Sequence, residues 1–159
     1  MTTQEGALVW NVDVEAQPQR LWDGFFDAGT PLPFYFGSVL EWEPKPGAAI
    51  RYLSADGRRA LVEGEVIGIV PGHWVTHTFR FPDLAEPPQQ VTTRVTALDK
   101  GARLTVTHAV SDIAPDHLRR ITRGWPAILR DLKAHVETGR VGARARCRNW
   151  LLRHVLRIT

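Results

Sequence analysis

Two histidines stand where an imidazole inside an apolar wall could orient a small molecule. In the run WVTHTFRF, period-two alternation puts Val75, His77, Phe79 and Phe81 on one face, opposite Trp74, Thr76, Thr78 and Arg80. In ARLTVTHAV it puts Leu104, Val106, His108 and Val110 on one face and Thr105 and Thr107 on the other. His77 and His108 thus fall on the apolar sides of two strands. Small-ligand sites are built this way, from apolar walls with one or two polar groups that hold a carboxyl, hydroxyl or carbonyl. The commoner fate of such a histidine is a core position satisfied by a backbone carbonyl. General acid–base work would need a tuning partner. Glu63 and Glu65, on one face with Leu61, Ile67 and Ile69, are the glutamates whose strand could turn one inward.

Other chemistries lack their residues. His73, His77, His108, His117, His135 and His154 show no HxxxH, HExxH or Cys/His spacing. His73 and His77, four apart on a strand, would stand about 13 Å from each other. There is no GxSxG, no P-loop and no GxGxxG, so hydrolase, nucleotidase and dinucleotide-binding readings have no support. No metal, cofactor or catalytic residue is expected. Cys147 is the only cysteine, so no disulfide can form within the chain.

The elements that must position these residues follow from turn signals. Leu8, Trp10, Val12 and Val14 alternate as a first strand. Pro18 then opens a helix with Leu21, Trp22, Phe25 and Phe26 at helical spacing, ended by Gly29. PLPFYFG reads as a short turn or helix that throws Phe34 and Phe36 against an apolar surface. SVLEWE, AAIRYLSA, RRALVEGEVIGIV, WVTHTFRF, QQVTTRVTAL and ARLTVTHAV follow, separated by Pro, Gly and Asp turns. With the first strand they make seven, antiparallel. A short helical piece capped by Ser111 or Asp112 runs to Arg123. A firmer helix opens at Trp125 with Pro126 in its first turn, and Trp125, Ile128, Leu129, Leu132 and Val136 form its apolar stripe before Gly139. That helix covers one face of the sheet. The predicted fold is α+β, a sheet curved around a long C-terminal helix. Phe34, Phe36, Trp42, Ile50, Tyr52, Val75, His77, Phe79, His108, Trp125 and Leu129 are the expected ligand-binding residues of the cavity between them.

Charge divides the chain at Gly139. Residues 1–139 hold all 17 acids and carry a net −3, whereas residues 140–159 carry six arginines and no acid. The basic pI belongs to the tail, which removes most of the case for a nucleic-acid-binding domain, and no nucleic-acid partner is expected. The expected organisation is a domain over 1–139 and a basic helical extension over 140–159. From Cys147 to Ile158, Cys147, Leu151, Leu152, Val155, Leu156 and Ile158 gather on one face, with Trp150 outside that arc. Folding back on its own domain, or across a homodimer, is the favoured use of this helix. An acidic protein partner comes next, and contact with an anionic membrane surface is the least favoured. No signal peptide or membrane span is evident, so a cytoplasmic location is expected.

The order of elements and several short words in it resemble the START-like (SRPBCC) superfamily. More narrowly, the chain is similar to the family of activators of the heat-shock-protein-90 ATPase. The words are VEAQPQRLWDGF, Trp42-Glu43-Pro44-Lys45-Pro46-Gly47, Gly64-Glu65-Val66, Leu104 to His108, and Gly124-Trp125-Pro126 followed by Leu129, Leu132, Lys133 and Glu137-Thr138-Gly139. The resemblance departs at Phe34-Tyr35-Phe36, where relatives often carry tryptophans, and at Ala48, where a second glycine is common. It implies a helix-grip fold with a cavity, and no single activity. The leading expectation is non-enzymatic binding of a small hydrophobic ligand. The alternatives are an enzyme of the cyclase or isomerase type using the same cavity, and a co-chaperone-like interaction module.

Overall fold

A computed structural model describes residues 1–4 and 6–154. It holds one antiparallel sheet with nine strands, two more than predicted: β1 (Thr2–Gln4), β2 (Ala7–Val14), β3 (Pro31–Leu32), β4 (Ser38–Trp42), β5 (Ala49–Leu53), β6 (Ala60–Val70), β7 (Trp74–Phe79), β8 (Gln89–Ala97) and β9 (Ala102–Ala109). The spatial order is β1-β2-β9-β8-β7-β6-β5-β4-β3. The extra strands, β1 and β3, are the two edges. Both are too short to show an alternation in sequence.

Three helices accompany the sheet: α1 (Pro18–Phe25), α2 (Pro115–Thr138) and α3 (Ala143–His154). Proline stands in the first turn of α1, as expected, while Gly29 lies beyond the helix end at Phe26, in a turn with φ +81°. The long helix differs from its predicted start. It opens ten residues earlier, at Pro115, and is continuous through Pro126. An internal proline loses one backbone bond and crowds the preceding turn. Here an unbroken buried stripe of His117, Ile121, Trp125, Ile128, Leu129, Leu132 and Val136 outweighs that cost. Gly139 ends the helix in the left-handed conformation at φ +73°, as its position predicted.

Register places the histidines. Leu8 pairs with His108, His108 with Val91, and Val91 with His77, so these four share the concave face in one row. The adjacent row is Trp10, Val106, Thr93 and Val75. A bulge between Val66 and Gly68 on β6 resets the alternation: Val66 is buried, Ile67 is exposed, and Ile69 again faces the core. Ile67 and Ile69 therefore do not share a face, contrary to the uninterrupted alternation. Gly64 has a steric task. A Cβ there would stand 1.7 Å from the Thr78 carbonyl oxygen, so only glycine lets β6 and β7 approach this closely.

The tail folds back, but on a different face from the predicted one. Val141, Ala145 and Asn149 are buried, whereas Cys147, Trp150, Leu151 and Leu152 are exposed. Polar anchors decide the docking. Arg148 Nη2 donates to the buried Asp131 of α2 at 3.1 Å and its guanidinium lies over Phe36, and Asn149 Nδ2 donates to the Pro33 carbonyl at 2.7 Å. Val155, Leu156 and Ile158 lie outside the described residues.

Candidate functional site

The concave face and α2 enclose an aromatic interior centred on Trp125. Its ring lies 6.4 Å from Trp10, 6.1 Å from Tyr35, 6.4 Å from Phe79 and 6.3 Å from His108. Tyr35 stacks on Tyr52 at 4.1 Å. These rings pack on one another, and polar atoms are sunk among them.

Four side chains form a continuous hydrogen-bonded line. Trp125 Nε1 donates to His108 Nδ1 at 3.1 Å. An indole N–H can only donate, so Nδ1 is bare and the His108 proton sits on Nε2. His108 Nε2 meets His117 Nε2 at 3.3 Å, which makes the latter the acceptor and places the His117 proton on Nδ1. His117 Nδ1 then donates to Oε1 of Glu86, whose Oε2 accepts the Ala114 backbone N–H at 2.9 Å. Each proton points toward the carboxylate. Burial, with His117 and His77 nearby, pushes the His108 pKa down to about 3, in keeping with a neutral ring. Burial raises the Glu86 pKa, but the Ala114 N–H, His117 and Arg120 outweigh it and hold the carboxyl below its ordinary value.

His77 is simpler. Its Nδ1 lies 2.7 Å from the Thr78 carbonyl oxygen, which can only accept, so Nδ1 carries the proton and Nε2 is left as a bare acceptor. Burial lowers its pKa to about 4, against a smaller upward pull from the Thr78 bond. Trp10 presents the opposite need. Its Nε1 is buried and has no hydrogen-bond partner among the described residues.

The loop between β7 and β8 closes one end of this interior onto the start of α2. Besides the Glu86 contacts, Asp83 takes two bonds from Arg120 at 2.8 and 2.6 Å, and Arg120 lies over the Phe81 ring at 5.0 Å. A buried glutamate–histidine pair thus exists, but it is not made by the strand glutamates. Glu63 pairs with Arg80 on the convex side and Glu65 is exposed.

Of the expected ligand-binding residues, Phe34, Ile50, Tyr52, Val75, His77, Phe79, His108, Trp125 and Leu129 are buried. Phe36 and Trp42 are not brought to the same place. Phe36, at φ +57°, lies under Arg148 at the α3 interface. Trp42 stacks on Phe26 and lines, with Trp22, Pro44 and Pro71, an open groove of about 420 Å³ beside α1. A second open groove of about 730 Å³, with Arg20, Asp23, Asp27 and His135 on its walls, runs between α1 and α2. Sequence reasoning missed His117, Glu86, Trp10 and Tyr35 as polar groups of the interior. His117 was findable, since Ile121 and His117 continue the stripe four and eight residues back from Trp125. Glu86 sits in a loop with no periodicity to place it.

A profile of the family described as "Activator of Hsp90 ATPase homolog 1-like protein" matches residues 15–137. The chain belongs to this family. Solved structures agree on the fold. CalU16 from Micromonospora echinospora is 14% identical with a TM-score of 0.68, over 92% of this chain and 83% of that one. The Aha1 dimer from Colwellia psychrerythraea is 14% identical with a TM-score of 0.67, over 84% of this chain and 97% of that one. PFC0360w, an HSP90 activator from Plasmodium falciparum, is 22% identical with a TM-score of 0.62, over 75% and 86%. No sequence among the curated proteins matches this chain. The START-like resemblance and the helix-grip fold are therefore established. Among the described residues, no helix is long and apolar enough to cross a membrane.

Proposed function

We propose that this protein binds a small apolar molecule between the concave face of the sheet and α2, in a cytoplasmic setting. The observation that carries the reading is the Trp10 indole N–H, buried beside Trp125 without a partner among the described residues. A buried donor left unpaired costs on the order of 1–3 kcal/mol, and a ligand acceptor relieves that cost. His77 adds a neutral imidazole on the same concave face, oriented by the Thr78 carbonyl. Val75, Phe79, Tyr52, Phe34, Ile50, Leu129 and Trp125 supply apolar wall, and His108 acts from behind Trp125 by fixing its indole.

A cyclase or isomerase reading would use an imidazole as base. His108 is poorly placed for it, because Trp125 occupies its lone pair and His117 takes its proton. The co-chaperone reading draws on PFC0360w, described as an HSP90 activator, and on the exposed Trp150, Leu151 and Leu152 of α3. These exposed side chains are also where a homodimer or another protein partner would dock.

Native mass spectrometry of the protein as purified, followed by denaturing extraction, tests the binding reading. A stoichiometric small molecule, lost or weakened in His77→Ala, is the expected result. Bare protein that no member of a panel of apolar ligands stabilises against heat would refute it.

A further inference from the structure

We propose that α3 docks by its outward face into the open groove beside α1 of a second copy of this chain, each copy giving its helix and receiving its partner's. The proposal is independent of the ligand-binding reading.

The two faces of α3 have different fates. Ala145 and Asn149 are buried against the domain, and Arg148 beside them reaches Asp131. On the other side Cys147, Trp150, Leu151 and His154 follow at i, i+3, i+4 and i+7, the spacing of a second stripe. All four are exposed, Trp150 by 57% and Leu151 by 45%, and Trp150 stacks on His154 at 4.8 Å. A helix seated on its own domain by one face can offer the other only to a different molecule. Arg144 and Arg146 flank this outward stripe, both exposed. Neither takes part in an ion pair among the described residues.

The groove has the complementary make-up. Trp22, Phe26, Trp42, Pro44 and Pro71 line about 420 Å³ of open space, and no residue of α3 reaches it. Phe26 lies 4.6 Å from Trp22 and stacks on Trp42 at 4.9 Å, an aromatic floor on which an indole packs well. Asp23 and Asp27 stand exposed on the rim. Asp23 accepts the Gln19 amide and Asp27 the Thr30 hydroxyl. Neither carboxylate forms an ion pair among the described residues.

Charge selects the occupant. Every acid lies in residues 1–139, and the tail carries six arginines and no acid. The same chain thus holds both halves of one contact, an apolar ridge between arginines and an aromatic groove edged by carboxylates. The indole supplies the anchor at the centre, and the charged rim steers the approach. Exchanging the contact in both directions closes a two-fold pair. An anionic lipid surface would suit the outward stripe alone, but it repels the domain of net −3 to which α3 is fastened.

Sedimentation velocity of the full chain over a range of concentrations tests this with two charge reversals. One variant carries Asp23→Lys with Asp27→Lys, the other Arg144→Glu with Arg146→Glu, all at exposed positions. The parent is expected to form a dimer that weakens as salt is raised. Each variant alone should associate at least about tenfold more weakly. Their equimolar mixture should regain the dimer, because both contacts then bring opposite charges together. Trp150→Ala should weaken the parent dimer about thirtyfold through loss of the central anchor. A parent that stays monomeric throughout overturns the proposal, and pelleting of that monomer with phosphatidylglycerol vesicles would assign the outward stripe to a membrane instead. A dimer that neither reversal weakens, a mixture no better associated than its parts, or assemblies that grow beyond the pair would overturn it equally.

Discussion

At the scale of single residues, the interior couples stability to pH through groups that must stay neutral. His77 and His108 have folded-state pKa values of about 4 and about 3, below the ordinary histidine value near 6.5. The unfolded chain therefore binds more protons than the native one across this window. The stabilisation is complete above about pH 6.5 and is lost as the pH falls toward 4 and then 3. At about 1.36 kcal/mol per pKa unit, His77 contributes on the order of 3 kcal/mol and His108 on the order of 5 kcal/mol across its window. Glu86 acts in the same sense at lower pH, since its depressed carboxyl loses its contribution on protonation. Urea denaturation at pH 7, 5 and 4 should show the midpoint falling at each step. His77→Phe should flatten the upper part of that fall, and an unchanged wild-type midpoint between pH 7 and 5 would contradict the assigned burial. Alternation alone made the inward aim of both histidines legible, because each sits on a strand whose apolar face is unambiguous. What each imidazole bonds is not legible: Glu86 lies in an aperiodic loop, and Pro126 marks Trp125 as a helix start although it stands mid-helix.

At the scale of elements, the misread helix start and the unseen bulge have one cause. In both places tertiary packing overrides the local signal. Pro126 is a sound first-turn signal in isolation, yet the stripe from His117 to Val136 runs through it because every member is buried against the sheet or α1. The bulge after Val66 is equally invisible in sequence, since β6 reads as an uninterrupted strand on either side of it. Gly64 was legible as a family word but not as a steric requirement. With a Cβ destined to lie 1.7 Å from the Thr78 carbonyl, Gly64→Ala must separate β6 from β7. That shift would move the same carbonyl that orients His77. A loss of about 3 kcal/mol or more in chemical denaturation is expected, together with weaker binding of any ligand held by His77. A variant as stable as the parent would show that the strands can relax apart without cost.

At the scale of the molecule, α3 joins the two oppositely charged parts of the chain. The tail carries six arginines and no acid, and one of them, Arg148, meets Asp131 in a position only 4% exposed. The charge split is plain in sequence, whereas folding back on the domain stands there beside docking across a homodimer. The docking face is not legible there, because the hydrophobic arc of Cys147, Leu151 and Leu152 predicts burial that Ala145, Asn149 and Arg148 take instead. Small size, an amide for the Pro33 carbonyl and a guanidinium for Asp131 and Phe36 decided it. Removing residues 140–159 therefore does two things: it uncovers Phe36 and Val141's site on the domain, and it leaves Asp131 with only the exposed Arg130 as counter-charge. Breaking one partner from a buried pair is costly because the remaining charge loses its compensation. With Arg130 still present and water admitted, the loss should be about 1–3 kcal/mol, read as a lower midpoint in urea. Asp131→Asn separates the two contributions. In the truncated chain it should recover part of the loss, and in the full-length chain it should destabilise by stranding Arg148. If Asp131→Asn has the same effect in both backgrounds, the ion pair does not anchor the tail, and the Asn149 bond and the Arg148–Phe36 contact must hold α3 on their own.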